Sequence, residues 1–249
     1  SPTPTPTPSP SPTSSPTPTP APSPSPAVDI AVARSAAVGA VVAVEGTVTA
    51  EPGRLDPAPL VSIQDATAAI FVRLPDGAPR SPRGAVLRVK GKLADPYGQL
   101  EIRPAAGDVA IVGSRPVPDP LPVAAALLGE VTEARLVVLE GILEASIVRA
   151  ANGDVSFRLT DAAGTSVAVR AARAAAIEPT VARRGARLRV TGVVGQRATR
   201  KGALDGYRVW LRDAAGLVVV TPAPTAAATT RPSPTPTGPG TGGGAPVGP

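Results

Sequence analysis

The chemistry open to this chain is limited first by the side chains that it lacks. Its 249 residues include no cysteine and no histidine. The chain therefore has no thiol nucleophile, no imidazole base, and no thiolate or imidazole ligand for zinc. The sequence also contains no phosphate-cradling loop and no dense carboxylate cluster. We therefore expect no catalytic residue, no metal site and no cofactor.

Asp65 and Asp161 are the acidic residues that most invite a catalytic interpretation, because they occupy equivalent positions in two similar halves of the chain. Acid–base catalysis needs partnered groups, however, and each half supplies a single aspartate. Aspartate is also common in tight turns, where its carboxylate accepts hydrogen bonds from nearby backbone N–H groups. We interpret both as turn residues, and Glu45 and Glu140 as outward-facing residues without a catalytic role.

Positive charge is concentrated towards the end of the second half. Between residues 183 and 212 the only acidic residue is Asp205. Clustered positive charge attracts polyanions in a salt-dependent way, so this run favours a binding function. A solvated basic face without a ligand is the alternative. The basic residues of the run are Arg183, Arg184, Arg187, Arg189, Arg197, Arg200, Lys201, Arg208 and Arg212.

An aromatic residue lies inside this basic run. If Val209 and Leu211 face a core, strand alternation turns Arg208, Trp210 and Arg212 outward. A flat aromatic ring flanked by guanidinium groups suits base stacking combined with phosphate pairing, and each stack contributes ~1–3 kcal/mol. The second half is therefore expected to dominate binding.

The first half presents a weaker form of the same pattern. Alternation along its third strand turns Phe71 and Arg73 outward, whereas the second half has Ala168 where the first has Phe71. The alternative is that Phe71 or Trp210 seals an interface between the two halves. The predicted nucleic-acid-binding residues are Phe71, Arg73, Arg197, Arg200, Lys201, Arg208, Trp210 and Arg212.

The elements that would position these residues are indicated by an internal repeat. The nine residues from Arg83 to Gly91 return from Arg184 to Gly192 with only the fourth and eighth residues changed. Each copy lies in the same place within a longer matching frame. The chain therefore carries one small β-domain twice, over 27–118 and 119–220.

Each half shows the pattern of five short strands, with a glycine interrupting the first. In the first half, alternation predicts a short helix or lead-in over 30–37 and strands over 42–48, 61–64, 70–73, 86–89 and 99–103. In the second half, the same alternation predicts strands over 137–143, 157–159, 167–169 and 207–212. The fourth strand of this half lies in the second copy of the repeated phrase. An alanine-rich segment, 171–176, predicts a helix between its third and fourth strands.

Five strands with this spacing describe the OB barrel, which binds oligonucleotides on the outer face of strands two and three and on neighbouring loops. The segments 44–49 (VEGTVT), 63–67 (IQDAT) and 87–91 (LRVKG) resemble the bacterial OB-fold nucleic-acid-binding domain family. In particular they resemble copies attached to secreted nucleases, phosphoesterases and lamin-tail-type surface proteins. The chain departs from that family in having Ala68-Ala69 where glycine usually follows the turn.

The two ends of the chain have a different composition from the barrels. Residues 1–26 contain only Ser, Pro, Thr and Ala, and 221–249 are similarly rich in Pro, Thr, Ala and Gly, so both are expected to be disordered linkers. Ser/Thr/Pro tails beside a cysteine-free β core are typical of secreted or cell-surface bacterial proteins. A cytoplasmic linker is the alternative. No apolar run is long enough for a membrane helix, and we expect a monomer.

The sequence thus predicts an all-β chain of two tandem five-stranded OB-type barrels with short helices and disordered tails. Its expected function is that of a non-catalytic binding module of an extracellular bacterial protein, with single-stranded nucleic acid or another polyanion as ligand. One alternative is a structural spacer or protein-interaction domain with no ligand, and adjacent domains of the same polypeptide are the other partners that we consider. Another alternative is an accessory domain of a secreted nuclease or phosphoesterase.

Overall fold

The computed structural model describes residues 26–55, 59–224 and 248, and these residues form two closed β-barrels in tandem. Barrel one is built from the first half of the chain and barrel two from the second. The two predicted linkers, 1–26 and 221–249, lie almost entirely outside the described residues. The boundary between residues 118 and 119 stays a prediction.

Barrel one is a ring of five strands. The strands follow the order β1–β2–β3–β5–β4, and β4 pairs with β1 to close the ring. The β3–β5 pair is parallel and the other pairs are antiparallel. The strands are β1 (Val41–Ala50), β2 (Leu60–Gln64), β3 (Ala69–Arg73), β4 (Ala85–Ala94) and β5 (Glu101–Ser114).

Barrel two repeats this topology. Its ring follows the order β7–β9–β10–β12–β11, with β11 paired back to β7 and only the β10–β12 pair parallel. The predicted fold class, two tandem OB-type barrels, is therefore confirmed. The strands are β6 (Leu121–Pro122), β7 (Leu136–Leu143), β8 (Val148–Arg149), β9 (Val155–Thr160), β10 (Ser166–Ala171), β11 (Arg187–Gly195), β12 (Arg208–Leu211) and β13 (Leu217–Thr221).

Short helical segments connect these strands. The lead-in to barrel one contains helix α1 (Ile30–Arg34), within the predicted range. The predicted helix over 171–176 is wrong, because β10 runs to Ala171 and the rest of this segment contains only the 3-10 turn Arg173–Ala175. Ala171 is held in the sheet by pairing with Val155 and Leu211, and Ala176 has a left-handed backbone with a φ of 53°, so neither end of the segment can be helical despite its alanine content. The 3-10 turns are Pro96–Gly98, Ala125–Leu127, Arg173–Ala175, Pro179–Val181 and Ala214–Gly216.

The fifth strand differs most from its prediction. In barrel one it extends to Ser114, well beyond the predicted 99–103. In barrel two the equivalent strand is divided into β12 and β13 by the turn Ala214–Gly216, where the Asp213 carboxylate accepts a hydrogen bond from the Gly216 N–H at 3.2 Å. A local side-chain hydrogen bond of this kind competes with the sheet ladder and interrupts it.

The repeated phrase is explained by two of its glycines. Gly84 and Gly185, at its second position, have φ of +86° and +88°, a left-handed backbone that favours glycine. At its last position Gly91 lies where the fifth strand crosses closely, since a Cβ there would lie 2.7 Å from the Arg103 carbonyl. Gly192 makes the equivalent close approach to the Trp210 carbonyl. Backbone geometry therefore accounts for the glycines that the two copies share.

We predict that Gly91→Ala destabilises barrel one by about 1–3 kcal/mol, because the added methyl group forces two paired strands apart. Gly107→Ala is the matched control, since a Cβ at 107 meets nothing within 4 Å and its φ is not positive. Urea unfolding of the two variants measures the difference. Equal free energies of unfolding for the two variants would show that the close strand crossing does not require glycine at residue 91.

The two barrels are joined by a small apolar core of their own. Phe71 and Leu60, on the outer face of β2 and β3, pack with Leu136 and Val193 of barrel two. Backbone and side-chain hydrogen bonds surround this core. The Ser62 hydroxyl donates to the Ala134 carbonyl at 2.6 Å, and the Leu136 N–H donates to Gln64 Oε1 at 3.2 Å. We call this contact the joint.

A buried acid lies at one edge of the joint. The Glu133 side chain, in barrel two, is fully buried, and its Oε2 accepts a hydrogen bond from the Arg34 guanidinium at 3.0 Å. The Leu100 N–H of barrel one donates to Oε1 at 3.3 Å. Glu130 also faces Arg34, and it accepts a hydrogen bond from the Tyr207 hydroxyl. Burial raises the pKa of Glu133 from 4.5 to about 7, although Arg34 opposes the shift.

This raised pKa predicts a pH-dependent stability. Because the folded protein holds the proton more tightly than the unfolded chain, the contribution of Glu133 to the free energy of unfolding is complete below pH 4.5. It falls by roughly 3 kcal/mol as the pH rises through 7. Urea unfolding as a function of pH should show this loss in the natural chain and a smaller one in Glu133→Gln.

Glu178→Gln neutralises an exposed carboxylate and is the control for this experiment. It should keep the loss of stability with rising pH that the natural chain shows. Identical pH profiles for the natural chain and Glu133→Gln would contradict a titrating acid in the joint.

Candidate nucleic-acid interface

The outer face of strands two and three, where OB barrels commonly bind oligonucleotides, is closed in barrel one. Every residue of β2 and the first four of β3 are buried. Phe71 does point away from the interior of barrel one, as its alternation predicts, but it is 0% exposed because barrel two covers it. The expectation that Phe71 offers an open ring to a ligand is therefore wrong.

The equivalent face of barrel two is open. Its strands alternate between buried and accessible residues, with Val169 and Phe157 in the core. Strand pairing arranges the outward residues in two rows, Ser156–Arg170–Trp210 and Arg158–Ala168–Arg208. Cross-strand neighbours lie about 5 Å apart, so three guanidinium groups and one indole share this face. We call it the barrel-two face.

A cleft between the two barrels continues this face. Its volume is about 610 Å³, and Arg170, Arg208 and Trp210 line it together with residues of barrel one. Barrel one contributes Tyr97, on the turn between β4 and β5, and Gln99. Loop contacts hold the two walls together, since the Ala198 N–H donates to the Tyr97 carbonyl at 2.7 Å. The cleft is therefore a composite of both barrels.

The arginines of the cleft differ in how far their charge is neutralised. Arg73 donates two hydrogen bonds of 2.9 Å to Glu101, a fully buried carboxylate, and serves the structure of barrel one. Arg197 lies over the Tyr97 ring, 5.2 Å from its centroid, in a cation–π contact. Arg208 donates to the Gly206 carbonyl at 3.1 Å.

Three arginines of the cleft form no ion pair among the described residues, although one acid, Asp154, lines the cleft with them. Among the described residues, no carboxylate forms an ion pair with Arg170, Arg197 or Arg208. Burial, and then the charges of Arg170 and Arg197, lower the pKa of the Arg208 guanidinium. A bound anion would relieve this repulsion, because each guanidinium would gain an opposite charge.

Five of the eight predicted binding residues line the cleft, and three do not. Arg212 lies in the joint, where its Nη1 donates to the Thr49 carbonyl of barrel one at 2.6 Å. Burial, and then the charge of Arg83, lower the pKa of Arg212. Arg200 and Lys201 are exposed on the loop before β12 and do not line the cleft. The five that border the cleft are Phe71, Arg73, Arg197, Arg208 and Trp210, although the Phe71 ring is itself 0% exposed.

Arg170 and Tyr97 also line the cleft, although the sequence does not single them out as binding residues. The position of Arg170 follows from alternation, because its neighbour Val169 fills the core. Tyr97 lies in the turn between β4 and β5 with a φ of 57°, and its side chain is 68% exposed. Strand alternation gives no information about a turn residue, so the contact of Tyr97 with barrel two could not be predicted from the sequence.

The two aspartates have the turn role that the sequence predicts. Asp65 accepts hydrogen bonds from the backbone N–H groups of Ile30, Thr67 and Ala68. Burial opposes these donors, but together they lower the pKa of Asp65. Asp161 makes the equivalent contact with the Ala125 N–H at 2.9 Å. In each barrel this aspartate therefore ties the lead-in segment to the turn between strands two and three.

The described residues form neither a clustered metal site nor a membrane helix. Within them, no group of three or more His, Cys, Asp or Glu side chains is placed to hold a metal ion. None of their helices is long and apolar enough to cross a membrane.

Comparison with known proteins shows likeness at the level of solved structures alone. No family model and no curated protein matches the chain. The chain is similar to tetrameric p202 HIN2, at 13% identity and a TM-score of 0.35, covering 74% of this chain and 95% of that one. It is similar to the Ifi202 HINa domain in complex with 20 bp dsDNA, at 11% identity and a TM-score of 0.33, covering 74% and 100%.

A third similar structure is the single-stranded DNA-binding protein from Thermus aquaticus. The identity is 20% and the TM-score 0.25, with 79% of this chain and 100% of that one covered. Likeness as distant as this carries no argument about ligand or activity.

We predict that Phe71→Ala costs about 3–5 kcal/mol in the free energy of unfolding, because it empties the core of the joint. Tyr97→Asn is the control, since it shortens an exposed aromatic residue and asparagine tolerates a left-handed backbone. It should change the free energy of unfolding by less than about 0.5 kcal/mol. Urea unfolding measures both, and a small effect of Phe71→Ala would refute its burial in the joint.

Proposed function

We propose that this chain is a non-catalytic module that binds nucleic acid or another polyanion on the barrel-two face and in the adjoining cleft. The observation that carries this proposal is a contrast between arginines. The other arginines that lie within the described strands are all paired with acids, as Arg187 and Arg189 are with Glu140. In the cleft, Arg170 and Arg208 have no such partner among the described residues.

The surroundings of these charges support the proposal. The barrel-two face is the surface on which OB barrels commonly bind oligonucleotides, and it is accessible here. Ala168 separates Arg158 from Arg208 in one row, which leaves a low surface between two cations. Trp210 adds a flat ring beside Arg170. Aromatic and guanidinium groups side by side suit bases and phosphates respectively.

The cellular setting is proposed from composition. The Ser/Thr/Pro content of residues 1–26 and the absence of cysteine support a stalk-borne module of an extracellular protein. Such a module would hold nucleic acid or another polyanion for a neighbouring nuclease or phosphoesterase domain. Recovery of the natural protein from the medium or cell wall, as opposed to the cytoplasm, tests this setting.

A rigid spacer is the second candidate function, and the joint is the observation that favours it. Phe71 is buried in the joint, which agrees with the alternative prediction that this residue lies in an interface between the two halves. Hydrogen bonds such as that from Ser62 to the Ala134 carbonyl fix one barrel on the other. A spacer would bind no polyanion, so a titration separates the two functions.

We predict that a single-stranded oligonucleotide changes the emission of Trp210, the only tryptophan, at micromolar protein concentration. Binding should weaken as salt rises, because phosphate contacts release counterions. Substituting both Arg170 and Arg197 by Gln should weaken binding and lower the salt slope by roughly one unit for each phosphate group that is no longer bound.

The double substitution of Arg183 and Arg184 by Gln is the charge-matched control, since both arginines are exposed and neither lines the cleft. It should leave affinity and salt slope close to those of the natural chain. Unchanged Trp210 emission together with no salt-sensitive association would exclude the binding function and favour the spacer.

A further inference from the structure

We infer that the cleft between the barrels accepts an unstacked base of single-stranded nucleic acid, with Tyr97 of barrel one and Trp210 of barrel two as its stacking residues. This inference rests on the proposed function and names the ligand class more closely. Both rings line one cleft. Neither barrel supplies the pair alone, so the site exists only in the tandem arrangement.

Tyr97 is the first reason for this inference. Its φ of 57° is uncommon for a bulky residue, and its side chain is 68% exposed, so burial of the ring does not compensate for the backbone conformation. Strained residues persist where the surrounding structure holds them, often at ligand-binding sites. Here the hydrogen bond from the Ala198 N–H holds the Tyr97 backbone at 2.7 Å against the loop of barrel two.

The setting of Trp210 is the second reason. Residue 195, directly below the indole edge, is glycine, and a Cβ there would lie 2.8 Å from ring atoms Cδ1 and Nε1. A Cβ at residue 195 would also lie 3.2 Å from Gln99 Oε1 of barrel one. The ring is therefore confined at its edge and only half-buried overall. Among the described residues, no acceptor bonds the indole N–H, which leaves it available to a ligand.

Charge and size together restrict the ligand. Arg170, Arg197 and Arg208 lie in the cleft beside the rings, so a phosphate and a base can be bound at once. The volume of about 610 Å³ falls within the range of ordinary small-ligand sites and suits a nucleotide unit. In a duplex the faces of the bases are covered by stacking, so only an extruded or unpaired base can lie against an aromatic ring.

The test compares three probes on the full chain. These are a thymidine single strand of roughly 12 nucleotides, within the usual range of OB site sizes, its duplex with adenosine, and inorganic polyphosphate. We expect the single strand to quench Trp210 and to bind about tenfold or more tightly than the duplex. Polyphosphate should compete in a salt-dependent way without quenching, because it has no base.

Tyr97→Asn is the decisive variant. It should weaken binding of the single strand by about tenfold, the effect of losing one stacking residue, and leave the affinity for polyphosphate unchanged. Its unfolding curve checks that the fold is intact. Arg183→Gln, outside the cleft, should alter neither affinity.

Two outcomes separate this inference from the proposed function. If the single strand, duplex and polyphosphate bind equally and Tyr97→Asn has no effect, the base site is refuted while polyanion binding stands. If none of the three probes binds, both are refuted.

Discussion

The joint between the barrels is the contact on which the rest of the molecule depends. It places Phe71, a fully buried ring of barrel one, against Leu136 and Val193 of barrel two. The area thus covered is the one that an OB barrel commonly offers to oligonucleotides. A single packing contact therefore fixes the relative position of the barrels, closes one ligand face, and creates the cleft beside the other.

The charged groups around the joint follow from the same contact. Arg34 reaches the buried Glu133, and Arg83 of barrel one forms an ion pair with Asp213 of barrel two at 2.7 Å. Breaking the buried Arg34–Glu133 pair is costly because it leaves an uncompensated charge, so this pair favours one orientation of the barrels over neighbouring ones. The Arg83–Asp213 pair is only half-buried and contributes less. Among the described residues, Arg170, Arg197 and Arg208 of the cleft form no ion pair with an acid, and this difference distinguishes groups that hold the barrels together from groups open to a ligand.

The sequence predicted most of the fold and some of the residues that line the candidate site, and a physical cause separates what could be predicted from what could not. Alternation and the repeated phrase depend on local backbone geometry, so the strands and the inward positions of Val209 and Leu211 could be predicted. Strand alternation also predicted correctly that Phe71 points away from the interior of barrel one. It gives no information, however, on what covers an outward residue. Tyr97 contacts the second barrel from a turn, and strand periodicity cannot predict a contact between residues so far apart in the chain.

The asymmetry of the two copies follows from how they meet. Barrel one uses the outer face of its second and third strands, whereas barrel two uses the start of β7 and the segment before it, at Leu136 and Ala134. The contact is thus head-to-tail, with a different surface from each copy. A head-to-tail contact between two copies must leave one ligand face free, and here that face belongs to barrel two. Once the face of barrel one is covered, its aromatic residue serves packing, and Ala168 at the equivalent position keeps the free face flat.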